Sequence, residues 1–222
     1  FLEQETLLQE IDAAIRAGDH LILTGPPGSG KTKLADDICD HYADDHNVAT
    51  ATSDWTTFDT VGGYRPARDG DGLRFVEGLF LDCFDTDANG KAKNEWLVVD
   101  ELNRADVDKA FGSLFTVLTG ENVELPFLKQ MQDADSVDTD SELRGNTSSD
   151  DEEKVKIIGD PDEGAERQPH EYRVPSDWRL IATMNAVDKA SLYRMSYAFV
   201  RRFSFVTVPV PSEDDVDAEM VK

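Results

Sequence analysis

Apolar positions along the chain follow two rhythms. Leu7, Leu8, Ile11, Ala14 and Ile15 recur at helical spacing and predict an amphipathic helix over about residues 3–17, closed by Gly18. Residues 31–44 and 106–119 also read as helices, the latter with Phe111, Leu114, Phe115 and Leu118 on one face. Between them stand short apolar runs of the kind that forms buried strands. His20–Thr24 is the first, the alternating Val48–Ser53 the second and Glu95–Asp100 the third; residues 178–184 and Phe203–Val208 are the fourth and fifth. Residues 59–72 are rich in Gly and Pro and read as loop, and 73–84 as a short helix or helix-hairpin piece. Strands alternating with helices predict an α/β fold, a parallel sheet covered on both faces.

One segment breaks the rhythm. Residues 131–168 hold 13 acids and 4 bases with few large apolar side chains, the composition of a disordered or solvated stretch. It is flanked by 121–127 and 170–175, which are expected to pair as a hairpin with the acidic stretch at its tip.

Composition sharpens the picture. The 222 residues suit one α/β domain, and a chain of this length buries a core without disulfides. Its net charge of −24 excludes non-specific nucleic-acid binding, which needs clustered Lys and Arg, and disfavours anionic membranes. No apolar run reaches the 18 residues of a membrane span. Two cysteines, Cys39 and Cys83, give no disulfide framework and fit a reducing cytoplasm. The opening Phe1, with no leader visible, is expected of a piece of a longer or processed protein. Acids are 30 Asp to 16 Glu, against only 10 Lys. An Asp-rich, Lys-poor surface resembles that of cytosolic proteins from salt-loving archaea, where concentrated salt screens self-repulsion.

Four motifs carry chemistry. Gly25, Pro26, Pro27, Gly28, Ser29, Gly30, Lys31 and Thr32 fit the phosphate-binding pattern G-x-x-x-x-G-K-[ST], between a predicted strand and a predicted helix. Glycines let the backbone turn its N–H groups inward, and the helix N-terminus adds partial positive charge. Lys31 is expected on the β- and γ-phosphates and Thr32 on Mg²⁺. Asp100 and Glu101 end the third apolar strand; Asp100 suits Mg²⁺ and Glu101 activation of water. Asn185 ends the fourth strand, where open α/β sheets bind ligands, and suits the placement of that water. Arg201 and Arg202 precede the fifth strand and fit an arginine finger given to a neighbouring chain.

In combination and order, GPPGSGKT, WLVVDELNRAD, YRVPSDWRLIATMNAVD and YAFVRRFSFV resemble the dynein-related branch of AAA+ ATPases, which includes McrB-type restriction motors and cousins of the MoxR-type chaperones. The resemblance runs from about residue 7 to 210. It implies a P-loop (ASCE) core over residues 1–210 with sheet order 5-1-4-3-2. It also implies nucleotide at subunit interfaces, a ring, usually hexameric, and an insertion hairpin at 121–175 before sensor 1. Lys31 and Thr32 then correspond to Walker A, Asp100 and Glu101 to Walker B, Asn185 to sensor 1, and Arg201 or Arg202 to the finger. Asn103 and Arg104 match the branch's DELNRA pattern and are placed at the interface. The helical lid and its sensor-2 arginine are expected beyond this chain, with 211–222 beginning the linker to them.

The function expected is Mg²⁺-dependent ATP hydrolysis by a ring motor that remodels a protein or nucleoprotein partner. One alternative is a GTP-driven restriction motor subunit; that type carries MNTADRS after sensor 1, whereas this chain reads MNAVDKA from Met184. Another is a nucleotide-gated scaffold with little hydrolysis, against which Glu101 speaks. Three further patterns read as bland. The calcium-like run Asp85–Gly90 has Trp96 where the motif wants a bidentate Glu. Cys39, His41 and His46 lack zinc spacing. The sequon at Asn146 has no meaning in a cytosolic chain.

Overall fold

A computed structural model describes residues 2–67, 72–85, 93–130, 152–159, 168–185 and 195–210. Helix α1 (Leu2–Ala17) leads into β1 (His20–Gly25), α2 (Lys31–Tyr42) and β2 (His46–Thr50). A short helix α3 (Thr57–Thr60) and an antiparallel pair follow, β3 (Gly62–Pro66) with β4 (Leu73–Glu77), then α4 (Leu79–Asp82). Next come β5 (Trp96–Asp100), a 3₁₀ turn at Leu102–Arg104 and α5 (Val107–Phe111). Strands β6 (Val123–Gln130), β7 (Glu152–Ile158), β8 (Glu171–Arg173) and β9 (Leu180–Asn185) precede α6 (Tyr197–Val200) and β10 (Phe203–Thr207).

Five strands form one parallel sheet in the spatial order β10-β1-β9-β5-β2. Numbering these five core strands along the chain, this is the expected 5-1-4-3-2. Leu21, Ile22 and Leu23 in β1 and Leu97, Val98 and Val99 in β5 are all fully buried. Successive strand residues face opposite sides, so both faces of the central strands are covered. Helix α1 packs on β1 and β10, while α2 packs on β1, β9 and β5. The buried Arg179 closes α1, its Nη2 donating at 3.1 Å to Ile15 O, a helix-end carbonyl that also accepts the Gly18 N–H. Beneath the sheet's amino edge, His20, Phe80 and Phe84 pack round Trp178, whose Nε1 donates to Glu95 O at 2.7 Å.

The structure corrects four sequence expectations. The glycine-rich 59–72 holds strand β3, and 73–84 holds strand β4 before its helix. The helix expected over 106–119 is broken: α5 stops at Phe111, and two 3₁₀ turns follow, at Gly112–Leu114 and Val117–Thr119. Gly112 and the β-branched Thr116, Val117 and Thr119 are weak helix formers. The segments 121–127 and 170–175 do not pair directly. Strand β7 lies between them, antiparallel to β6 and parallel to β8, so part of the acidic 131–168 stretch is ordered sheet. Its Val155 and Ile157 are fully buried while Lys154 is exposed and Lys156 half-buried, the period-2 pattern of a half-buried strand.

This second sheet is tied to the β3–β4 pair by aromatics. Phe127 packs on Tyr64 and Phe75, at ring-centroid distances of 5.6 and 5.2 Å, and the Leu128 N–H donates to the Tyr64 hydroxyl at 2.7 Å. The expectations for 131–151, 160–167 and 211–222, for the Asn146 sequon, and for most of the calcium-like run lie outside the described residues. Among the described residues no helix is long and apolar enough to cross a membrane, and no cluster of His, Cys, Asp and Glu could hold a metal ion by itself.

Candidate nucleotide site

The site lies at the carboxyl edge of the sheet, where β1, β5 and β9 end. Strand β1 stops at Gly25, and the loop 26–30 turns the chain into α2. Gly28 and Gly30 sit at φ 78° and 81°, the left-handed region that glycine enters without a Cβ penalty. Gly25 is required for a different reason. A Cβ there would meet the carbonyl oxygen of Val208 at 2.4 Å. Gly30 caps α2 without a side-chain hydrogen bond, so the first-turn N–H groups of that helix remain for an anion.

Lys31 folds over this loop. Its Nζ donates to Gly25 O (3.1 Å), Pro26 O (2.8 Å) and Asn185 Oδ1 (3.2 Å). Because an ammonium only donates, the Asn185 amide oxygen must face it, which leaves the Asn185 NH₂ to donate elsewhere. Burial pushes the Lys31 ammonium below its ordinary value, opposed by the Asp100 and Glu101 carboxylates. Thr32 Oγ1 donates to Asp100 Oδ1 at 2.8 Å, joining the start of α2 to the end of β5. Thr183 Oγ1 donates to the same carboxylate oxygen at 2.5 Å and accepts the Glu101 N–H at 3.0 Å.

Glu101 follows directly. It is the one non-glycine among the described residues at positive φ, 52° with ψ 44°. Its carboxylate pairs with the Arg104 guanidinium at 3.0 Å, both side chains partly exposed. The structure thus brings together Lys31, Thr32, Asp100, Glu101 and Asn185, which lie on three segments up to 154 residues apart. It does not bring in Arg201 or Arg202. Among the described residues no hydrogen bond or ion pair links either to this group. They precede Phe203, which pairs with His20 at the amino end of β1. Five strand rises separate His20 from Gly25, about 17 Å. Arg201 is exposed; Arg202 is half-buried, its Nε and Nη1 have no hydrogen-bond partner among the described residues, and burial lowers its pKa.

The residues fit a nucleotide and a hard cation. The Ser29 Oγ is buried in the loop with no hydrogen-bond partner among the described residues. A Cβ at Gly28 or Gly30 would meet nothing within 4 Å, so the loop leaves room for phosphate oxygens. Thr32 and Asp100 present the oxygen donors that Mg²⁺ prefers. Thr183 was not assigned a role from sequence, and Arg104 was expected at an interface rather than paired with Glu101. Thr183 looked like an ordinary strand threonine, although its two-residue offset from Asn185 puts both on one face of β9.

A parallel sheet in this order, with a phosphate loop between its β1 and α2, defines an AAA+ P-loop nucleotide-binding fold. The chain belongs to the AAA domain family of the dynein-related subfamily, which matches residues 20–203. It is 27% identical over 213 residues to the Type IV methyl-directed restriction enzyme EcoKMcrB subunit of Escherichia coli K12. That alignment covers 92% of this chain and 38% of the relative, so the chain spans well under half of that protein's length. A crystal structure of a candidate ATPase from Cytophaga hutchinsonii superposes with a TM-score of 0.54 at 16% identity, over 98% of this chain and 50% of that one. The latter likeness is one of fold.

Proposed function

We propose that the chain is the Mg²⁺-dependent ATP-hydrolysing module of a ring motor. The observation that carries this reading is the Thr32–Asp100 hydrogen bond beside Glu101: it joins phosphate loop and acidic strand in the arrangement that in-line hydrolysis needs. Lys31 would exchange its bonds to Pro26 and Asn185 for phosphate oxygens. Thr32 and Asp100 would hold Mg²⁺, which when bound neutralises phosphate charge. The Asn185 NH₂ would hold the attacking water and Glu101 would orient it and accept its proton. Arg201 and Arg202, which precede β10 at the other edge of the sheet, would serve a neighbouring chain's nucleotide. That supports a ring, six-membered as is usual for the family, in the cytoplasm, acting on a protein or nucleoprotein partner. The Asp-rich composition supports a salt-rich cytosol.

A second reading, a GTP-driven restriction motor, is favoured by the similarity to the Escherichia coli restriction subunit. Phosphate release with Mg-ATP and with Mg-GTP, in low and in multi-molar KCl, separates the two. Glu101→Gln is expected to lower turnover by about 10²–10⁴-fold with nucleotide still bound. Equal turnover of wild type and Glu101→Gln would refute the hydrolytic role, and a clear preference for GTP would select the second reading.

A further inference from the structure

We propose that Thr183 is a positioning residue of the hydrolytic site, its one hydroxyl fixing both the Asp100 carboxylate and the Glu101 backbone. The inference rests on the hydrolase reading only for its turnover arm.

Strand β9 pairs with β5 in the register Val98–Ile181 and Val99–Ala182, which brings Thr183 level with Asp100. Thr183 is 1% exposed, so its hydroxyl must find partners inside the protein. It finds two. The proton goes to Asp100 Oδ1 at 2.5 Å, and a lone pair takes the Glu101 N–H at 3.0 Å. A hydroxyl has a single proton, and a carboxylate can only accept, so the direction of both bonds is settled.

Each bond answers a need of the site. Glu101 occupies the left-handed region, which is unfavourable for a residue other than glycine. The bond from its N–H to Thr183 helps hold it there, and that conformation sets where the carboxylate leaves the chain. Asp100 Oδ1 accepts from Thr32 as well as from Thr183. Thr32 must turn to the cation when nucleotide binds; Thr183 has no such second task. It therefore keeps the Asp100 carboxylate from rotating while the Thr32 bond is exchanged. On the same face of β9, two residues on, Asn185 holds Lys31. One strand face thus orients both the acidic and the basic half of the site.

The test uses the whole chain and two variants. Thr183→Val keeps the volume and removes donor and acceptor; Thr183→Ser keeps the hydroxyl. One readout is the Mg²⁺ concentration that half-saturates binding of a fluorescent ATP analogue. The second is kcat and KM for phosphate release, with thermal unfolding beside both. Thr183→Val is expected to raise the Mg²⁺ requirement and to lower kcat, each by about 10–100-fold as for other groups that orient a metal ligand. KM and analogue affinity at saturating Mg²⁺ should stay near wild type. Thr183→Ser should restore both. Wild-type kcat and Mg²⁺ requirement in Thr183→Val would overturn the proposal, and so would Thr183→Ser as impaired as Thr183→Val, which would assign the effect to the methyl group. Should Thr183→Val not fold, Thr183→Ala carries the same readouts. If wild type itself does not turn over nucleotide, the hydrolase reading fails while the Mg²⁺ arm still reads Thr183.

Discussion

At the scale of single residues, the site is built from atoms with nowhere else to go. Lys31 is buried, so its ammonium must be ringed by oxygens, and the loop carbonyls and Asn185 supply them. Gly25 is fixed by space. Its absent side chain is replaced by the backbone of Val208, which also donates its N–H to Thr24 O at 2.7 Å. Gly25→Ala would force this pair of strand ends apart, an overpacking cost of about 1–3 kcal/mol. It is expected to lower the unfolding temperature by several degrees and to weaken nucleotide binding, measured by thermal unfolding and by titration with a fluorescent ATP analogue. Much of this was legible: the spacing of Gly25–Thr32 and the acids ending an apolar strand pointed to residues that the structure brings together. Thr183 was hidden because threonine is a common strand former, and only the register of β9 against β5 turns it into a ligand of Asp100.

At the scale of elements, the five sheet strands were visible because each is a short apolar segment between helices. The additional strands were harder to see. In β3 only Gly62 and Gly63 are buried, and Tyr64, Arg65 and Pro66 are exposed, so no apolar run marks it. The signal available was a Gly- and Asp-rich turn between two segments containing Tyr and Phe. Strand β7 was masked by its acidic neighbours, although Val155 and Ile157 alternate with Lys154 and Lys156. A buried titratable group joins two elements of the main sheet. His20, at the start of β1, accepts the Leu180 N–H of β9 on Nδ1 and lies against Trp178 and Phe203. Burial, with Arg179 and Arg202 nearby, depresses its pKa to about 3. The imidazole is therefore neutral when folded, and unfolding takes up a proton once pH drops below the ordinary histidine value of about 6.5. Its contribution is complete above that pH and is lost toward pH 3, by about 1.4 kcal/mol per pH unit. Denaturant unfolding between pH 7 and 5 should show this slope in wild type and a shallower one in His20→Gln, which can still accept the Leu180 N–H.

At the scale of the whole molecule, charge dominates. A net charge of −24 on 222 residues repels itself, and surface ion pairs such as Arg16–Asp12 and Lys33–Asp37 add little. Salt shortens the reach of that repulsion from about 10 Å at 0.1 M to about 3 Å at 1 M. The unfolding temperature is expected to rise between 0.1 and 2 M KCl. Scanning in NaCl as well separates screening, which both salts share, from a specific effect of potassium; a temperature that is flat or falls in both would refute the electrostatic account.

The placement of the Arg201–Arg202 pair at one edge of the sheet and of Lys31 at the other has a consequence for symmetry. If, as proposed, one of these arginines serves another copy's phosphate and each contact engages a single arginine, the two sides of the contact are different surfaces. Two chains joined in this way leave one arginine and one phosphate site unengaged at either end. Further copies follow in a single sense, and closing the procession on itself is an arrangement that leaves none empty.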